Sequence, residues 1–375
     1  MRKLFRLTTI PLSLDILLNG QLAFLNKYFD VTAISSPGDE LNSVHKREQV
    51  KVVPLPMERE ISLVKDIKSL LGLISLFRKE RPFIVHSNTP KSSLLGMLAA
   101  RITNVPKRIY TVTGLRYETE SGLKRWLFIT MEKITCLCAT HVIAESIGVK
   151  RMLFDQKITS RPVLIIGNGN INGIDEDFWD PNLIDDNSKQ VLMNELELSS
   201  DDFIFLFVGR VSKDKGIEEL VSAFKKLNSS DSFSKLIIVG PLEKSSNISE
   251  NILREIHTNR NIISLGFRSD VREIMSISDT LVLPGYREGF PNVILQAGAM
   301  ELPVIVTDVN GVFESVTSHT GIIIEKRSID SLLKAMLEIR NNRNLFSGKN
   351  CRKVILSRFS QKKFYPELLN YYKHI

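Results

Sequence analysis

The chain has 375 residues, more than the roughly 250–300 at which a single core stops growing, so two domains are expected. Its 43% hydrophobic and 25% charged residues exclude a disordered or fibrous chain, and no run of about 18 uncharged apolar residues offers a membrane span. The formal charge of +8 is unevenly placed: residues 1–175 hold 25 Lys and Arg against 15 Asp and Glu, the remainder 25 against 27.

The opening Met1-Arg2-Lys3-Leu4-Phe5-Arg6-Leu7 is apolar and basic, but Arg6 interrupts it and Pro11, Ser13 and Asp15 follow. It is expected as the first core strand of a cytoplasmic domain, not as a signal peptide. From there short apolar runs alternate with helical patterns, which predicts βα units and parallel sheets. Strands are expected near 4–10, 30–35, 50–54, 83–87, 108–113, 141–144 and 162–166. Residues 62–80 place Leu63, Ile67, Leu70, Leu71, Ile74 and Phe77 on one face at helical spacing, and Thr89-Pro90 opens a helix to about 103. The basic first half predicts an anionic partner, nucleic acid or anionic lipid, against the plainer reading of a solvated basic face. Pro106-Lys107-Arg108 and Gly122-Leu123-Lys124-Arg125-Trp126-Leu127-Phe128 put cations beside tryptophan, which suits an anionic lipid interface; the segment 123–138 also reads as a core helix. The three cysteines, Cys136, Cys138 and Cys351, form no C-x-x-C pair and are expected as buried thiols in a reducing compartment.

Gly167-Asn168-Gly169-Asn170-Ile171-Asn172-Gly173-Ile174-Asp175 predicts turns and a domain join, and the polar tract 182–202 a surface segment. The domains are expected at 1–172 and 173–355, with a helix over 356–375 packing back on the first. In the second half strands are expected near 203–208, 235–239, 262–265, 280–284, 303–307 and 322–324, and helices over 216–228, 248–258, 270–277, 292–300 and 329–340. Two doubly wound α/β sheets bind ligands outside the carboxyl ends of their strands, so the expected site is a central cleft that the two domains face.

Two stretches carry chemistry. Val208-Gly209-Arg210-Val211-Ser212-Lys213-Asp214-Lys215-Gly216-Ile217 runs from an apolar strand into an amphipathic helix. It places Arg210 and Lys215 on a loop at a helix N-terminus, where free N–H groups and the helix dipole favour a diphosphate. No Walker loop is present. Leu281-Val282-Leu283-Pro284-Gly285-Tyr286-Arg287-Glu288-Gly289-Phe290-Pro291-Asn292 runs from a strand to a helix and puts Glu288 at the carboxyl end of that strand, where a carboxylate accepts hydrogen bonds from sugar hydroxyls; Gln296 lies inside the helix.

The pairing of G-R-x-x-x-x-K-G with E-G-F-x-N-x-x-x-Q resembles glycosyltransferase family 4, and the likeness extends over most of the chain. Ala139-Thr140-His141-Val142-Ile143-Ala144-Glu145-Ser146 is similar to a late strand of that family's first domain. Asn172-Gly173-Ile174-Asp175 resembles its linker, and Leu265-Gly266-Phe267 its loop near the nucleotide base. The tract Tyr286 to Met300 is similar to bacterial enzymes that build capsule, O-antigen or lipid-linked oligosaccharides. The resemblance implies the GT-B fold, two Rossmann-like domains facing a cleft, and a transferase that retains anomeric configuration by front-face displacement.

It further implies that Arg210 and Lys215 hold the donor diphosphate as catalytic cations and that Glu288 contacts the donor sugar. Gly209, Gly240, Phe267, Gly289, Phe290 and Asn292 would complete the donor site. Gln296 stands where the family has a ribose-binding glutamate, and Gly20 is the one candidate for its phosphate-approaching loop after the first strand. Thr113 stands where many relatives have histidine. With His86, Lys91 and Arg116 it forms the acceptor-side set, although His86 also reads as a structural histidine. The implied partners are a nucleotide-sugar donor, most simply a UDP-sugar, an undecaprenyl-diphosphate-linked or other saccharide acceptor and the inner, anionic membrane surface, with the enzyme peripheral. No nucleic acid, cofactor or metal is expected; the D-x-D of Asp175-Glu176-Asp177 falls in the linker. Two alternatives stay open: a sugar-nucleotide epimerase of the same fold, and a scaffold subunit that has lost activity. A dehydrogenase would need a G-x-G-x-x-G turn, which is absent.

Overall fold

The computed structural model describes residues 1–229, 233–243 and 247–375. They form two compact units, one of Met1–Asn172 with Lys362–Ile375, the other of Gly173–Gln361. The first unit contains β1 (Lys3–Leu7), α1 (Pro11–Leu17), α2 (Gln21–Asn26), β2 (Asp30–Ser35), α3 (Glu40–Glu48), β3 (Lys51–Pro54) and α4 (Leu63–Glu80). It continues through β4 (Ile84–Ser87), α5 (Pro90–Ile102), β5 (Lys107–Val112), α6 (Gly122–Cys138), β6 (His141–Ala144), α7 (Ile147–Asp155) and β7 (Val163–Leu164). The second unit runs α8 (Asp186–Glu195), β8 (Phe203–Val208), α9 (Ile217–Asn228), β9 (Ser234–Val239), α10 (Glu250–Thr258), β10 (Ile262–Gly266), α11 (Val271–Ser276) and β11 (Thr280–Leu283). It ends with α12 (Asn292–Ala299), β12 (Val304–Thr307), α13 (Val312–Ser315), β13 (Gly321–Ile324), α14 (Ile329–Asn341) and α15 (Gly348–Phe359), after which α16 (Gln361–His374) returns the chain to the first unit.

Both sheets are parallel among the described residues, ordered β3-β2-β1-β4-β5-β6-β7 and β10-β9-β8-β11-β12-β13. Each therefore reverses its strand order at one point, between β1 and β4 or between β8 and β11, and such a reversal opens a crevice at the carboxyl ends of the strands. Helices cover both faces, so the central strands are mostly apolar, and β8 wholly so. In β8 the five residues Phe203, Ile204, Phe205, Leu206 and Phe207 are all buried, each contributing about 1.5–3 kcal/mol of burial. In the first unit Phe5, Leu7, Val85, Tyr110 and Val112 face α4, α5 and α6, while Leu4, Ile84 and Ile109 face α1, α2 and α16 through Leu22, Phe364, Leu368 and Tyr372.

Four sequence expectations change. The polar tract 182–202 contains α8, whose Leu192 joins the second core with Leu196 and Leu198. The strand expected over 162–166 is only Val163–Leu164. The second unit reaches past residue 355, because α15 continues to Phe359 and Ile174 exchanges backbone hydrogen bonds with Phe359 and Gln361 at 2.8 and 2.9 Å. The apolar face of α4 splits: Phe77 is buried and Leu70 and Ile74 pack against the core, but Leu63, Ile67 and Leu71 lie in solvent. The three cysteines are buried free thiols. Among the described residues no helix is long and apolar enough to cross a membrane.

Candidate functional site

The loops after β8 and β11 emerge at the strand-order reversal of the second sheet. They are built to touch. Gly216 opens α9 at φ +70, and a Cβ there would stand 2.1 Å from the Pro284 carbonyl oxygen, so only glycine admits this approach. Gly240, after β9, is similarly close: a Cβ would meet the Gly209 oxygen at 1.8 Å. The Tyr286 N–H donates to the Asp214 carbonyl at 2.9 Å, and the Thr307 hydroxyl at the end of β12 donates to the Gly285 carbonyl.

This framework gathers charges. Lys215 Nζ lies 2.5 Å from Glu288 Oε1, both largely buried. Arg210 pairs through Nη1 with Glu243 and through Nη2 with Asp214 Oδ2 at 3.2 Å. Arg287 lies 3.9 Å from the same Asp214 oxygen. Burial alone would push the Asp214 carboxyl up; the Ser212 hydroxyl bond and the charges of Arg210, Lys215 and Arg287 outweigh it and hold the group below its ordinary range. Three cations and three carboxylates thus meet at one crevice, and Arg210 and Asp214 stay about a third exposed. A polyanion can replace a carboxylate partner there without leaving a cation bare.

The structure brings Arg210, Lys215 and Glu288 together, with Gly209 and Gly289 beside them in the same loops. Phe290 turns its ring away, 5.2 Å from that of Phe359 in a buried cluster, which leaves only its backbone for a ligand. Asn292 and Gln296 are half-buried on α12. Phe267, just after β10, holds its ring 66% exposed, open to stacking. The pairing of Arg210 with Glu243 was not legible in the sequence, since 33 residues separate them. The signal was topological: β8 and β9 are neighbours, so the residues following each emerge side by side.

In the first unit the sequence candidates separate. The Gly20 N–H donates to Glu48 Oε1 at 2.8 Å and the Ala23 N–H to Oε2 at 2.9 Å. The expectation that Gly20 meets a phosphate is therefore corrected: a buried carboxylate of the chain already occupies that N-terminus. His86 is also corrected as an acceptor-side group. It is buried, with Nε2 2.7 Å from the Thr111 hydroxyl and Nδ1 against Tyr372 and Arg6. Burial, reinforced by Arg6, holds its pKa well below the ordinary value, so the ring is neutral at pH 7. Lys91 is buried in a bond to Asp66 at 2.7 Å and to the Glu60 carbonyl. Thr113 donates to the Asn88 carbonyl at 2.7 Å, and exposed Arg116 lies 4.9 Å over the Phe128 ring. Asp175 Oδ1 caps the N–H groups of Asp177 and Phe178, and no group of three metal-ligating side chains occurs among the described residues.

The comparisons with known proteins agree with this architecture. The family model described as "Glycosyl transferases group 1" matches residues 188–354, and "Glycosyl transferase 4-like" matches 15–146. The chain is 38% identical over 376 aligned residues to the capsular polysaccharide biosynthesis glycosyltransferase CapM of Staphylococcus aureus, covering 99% of this chain and 97% of that protein. It is 30% identical to the Escherichia coli UDP-Gal:alpha-D-GlcNAc-diphosphoundecaprenol alpha-1,3-galactosyltransferase, over 92% of this chain and 89% of that protein. Among solved structures, Anabaena HepE in complex with UDP and glucose matches with a TM-score of 0.83 at 16% identity, over 100% of both chains.

Proposed function

Since this chain belongs to the group 1 glycosyltransferases, we propose that it moves a hexose or N-acetylhexosamine, with retention of configuration, from a UDP-sugar to a lipid-linked saccharide in bacterial surface-polysaccharide synthesis. The observation that carries the reading is the junction of Arg210, Lys215 and Glu288 at the reversal of the second sheet. CapM, the galactosyltransferase named for a diphosphoundecaprenol acceptor and the UDP-bound HepE structure support the pathway, the acceptor class and the donor respectively. The relatives are named as transferases, so the epimerase alternative is not favoured.

In this reading the donor diphosphate takes the place of Glu243 on Arg210 and is held on its other side by Lys215. The C1–O bond to the diphosphate breaks as an acceptor hydroxyl forms its bond to C1 on the same face, and the departing phosphate oxygen receives the acceptor proton. Negative charge grows on the diphosphate as it leaves. Arg210 and Lys215 stand ready to offset it, and removing one such preorganised group costs roughly a hundredfold to a thousandfold in rate. Glu288 holds sugar hydroxyls while remaining the ion-pair partner of Lys215. Phe267 covers the base, and Gln296 meets the ribose with an amide in place of a charged acceptor. The enzyme works peripherally at the cytoplasmic face of the membrane, where a lipid-linked acceptor is presented.

The test is a panel of UDP-, GDP- and dTDP-sugars read by thermal stabilisation and slow donor hydrolysis, with and without EDTA. One UDP-sugar is expected to raise the melting temperature of the wild type and not of Lys215→Ala, and hydrolysis to survive the chelator. Absence of stabilisation by every nucleotide would overturn the reading.

A further inference from the structure

The outer faces of α4 and α6 carry apolar side chains that nothing among the described residues covers. Both helices flank α5 on one side of the first sheet. On α4, Val64, Ile67 and Leu71 recur at helical spacing along the solvent side, with Leu63 beside them at 77% exposure. On α6, Leu123 is 80% and Trp126 62% exposed, and Ile134 and Leu137 continue the stripe. Neither stripe is needed for the core: the opposite faces already bury Leu73 and Phe77 on α4, and Phe128 and Cys136 on α6. Large exposed apolar patches of this kind mark interaction surfaces.

Three observations identify the occupant. Cations accompany the apolar residues: Lys65 and Lys68 on α4, Lys124 and Lys133 on α6, all exposed. Lys65 is paired with Glu58 and Lys124 with Glu120, each at 2.7 Å, whereas Lys68 and Lys133 make no ion pair among the described residues. Second, an amphipathic helix with lysine at the border of its apolar stripe and tryptophan within it is the pattern that lies in an anionic lipid interface. Third, the patch has a fixed place. Helices that follow parallel strands begin at the carboxyl end of the sheet, so the starts of α4 and α6 share that rim. Ile61, just before α4, lines one small cavity with Phe128, Met131 and Arg116. Lys91 at the start of α5 grips Asp66 of α4 and the Glu60 carbonyl, which fixes the first turn of α4.

We propose that the outer faces of α4 and α6 dock together on an anionic lipid bilayer, apolar side chains entering the head-group boundary and lysines meeting anionic head groups. The inference rests on the reading of the acceptor as lipid-linked. It adds the surface that docks, and sets Arg116 and Thr113 at the rim beside the lipid.

The full chain is floated with vesicles of phosphatidylcholine, alone or with about a third phosphatidylglycerol. Wild type is expected to float with the anionic vesicles, less at raised salt, and to remain below with the neutral ones. Two double variants, Leu63→Ser with Ile67→Ser and Leu123→Ser with Trp126→Ser, are each expected to lower the bound fraction roughly tenfold, and Lys68→Glu with Lys133→Glu to act similarly. All three should melt as wild type does and keep the UDP-induced shift, because the altered side chains lie in solvent. Wild type that ignores anionic vesicles, or serine variants that float as wild type does, would overturn the proposal. So would a wild-type dimer that the serine variants dissociate without any vesicle binding, since a second copy then covers the face. Wild type that fails to float while keeping its UDP shift would refute docking alone. Flotation without nucleotide binding would instead refute the transferase reading.

Discussion

The two strand-order reversals make an instructive pair, because the same topology is filled in opposite ways. Between β1 and β4 the first unit places hydroxyls: the Thr9 N–H donates to Thr89 Oγ1 at 2.8 Å, and Thr89 Oγ1 lies 2.6 Å from Ser92 Oγ. Between β8 and β11 the second unit places Arg210, Lys215, Asp214 and Glu288. A neutral lattice of mutually satisfied hydroxyls has nothing to exchange with an anion. A set of partly exposed ion pairs has, since a phosphate oxygen replaces a carboxylate oxygen at little cost in desolvation. Lys91, a cation near the first reversal, is likewise used inward, on Asp66. The comparison teaches that the sheet order supplies a crevice, and that the chemistry follows from what the loops put in it.

The largest expected effect breaks the pair at its charged end. Lys215→Ala should lower turnover by roughly a hundredfold to a thousandfold, measured by donor consumption with acceptor present. At the other end, Lys91→Ala leaves the half-buried Asp66 without its cation and should cost about 2 kcal/mol in urea unfolding. Its turnover per folded molecule should stay within about threefold of wild type; a Lys215-like loss there would make the first rim a ligand site after all. A smaller effect concerns pH. Burial pushes the Glu132 carboxyl up to about 7, against the opposing hydrogen bond from Tyr110. A carboxyl raised from 4.5 in the unfolded chain stabilises fully below that value, and the contribution is lost as pH rises through about 7. Glu132→Gln keeps an acceptor for Tyr110, so it should flatten this slope and gain about 2 kcal/mol over wild type at alkaline pH. The smallest effect sharpens the donor reading: Gln296→Glu should tighten UDP binding by about fivefold, the gain of a charge-assisted bond to ribose.

Much of this was legible in the residues. The run Phe203–Val208 has no reading other than a buried strand, and the loops after it and after Leu283 announce their charges locally. What escaped is what depends on distance along the chain. Nothing near Gly20 announces that Glu48 fills its N–H groups, and nothing near Arg210 points to Glu243. The face of α4 escaped for a different reason. Its apolar residues cover more than one side, and periodicity shows that Leu63 and Phe77 are apolar without showing which of them meets water.

The return of α16 to the first unit has a consequence for the order of synthesis. Phe364, Leu368 and Tyr372 belong to the core that covers β1, β4 and β5, yet the ribosome makes them only after the second unit. The whole of the second unit emerges before that core is complete. The second unit is one uninterrupted stretch, Gly173–Gln361, whereas the first needs segments from both sides of it, so one side of its sheet stays incompletely covered until α16 has been made.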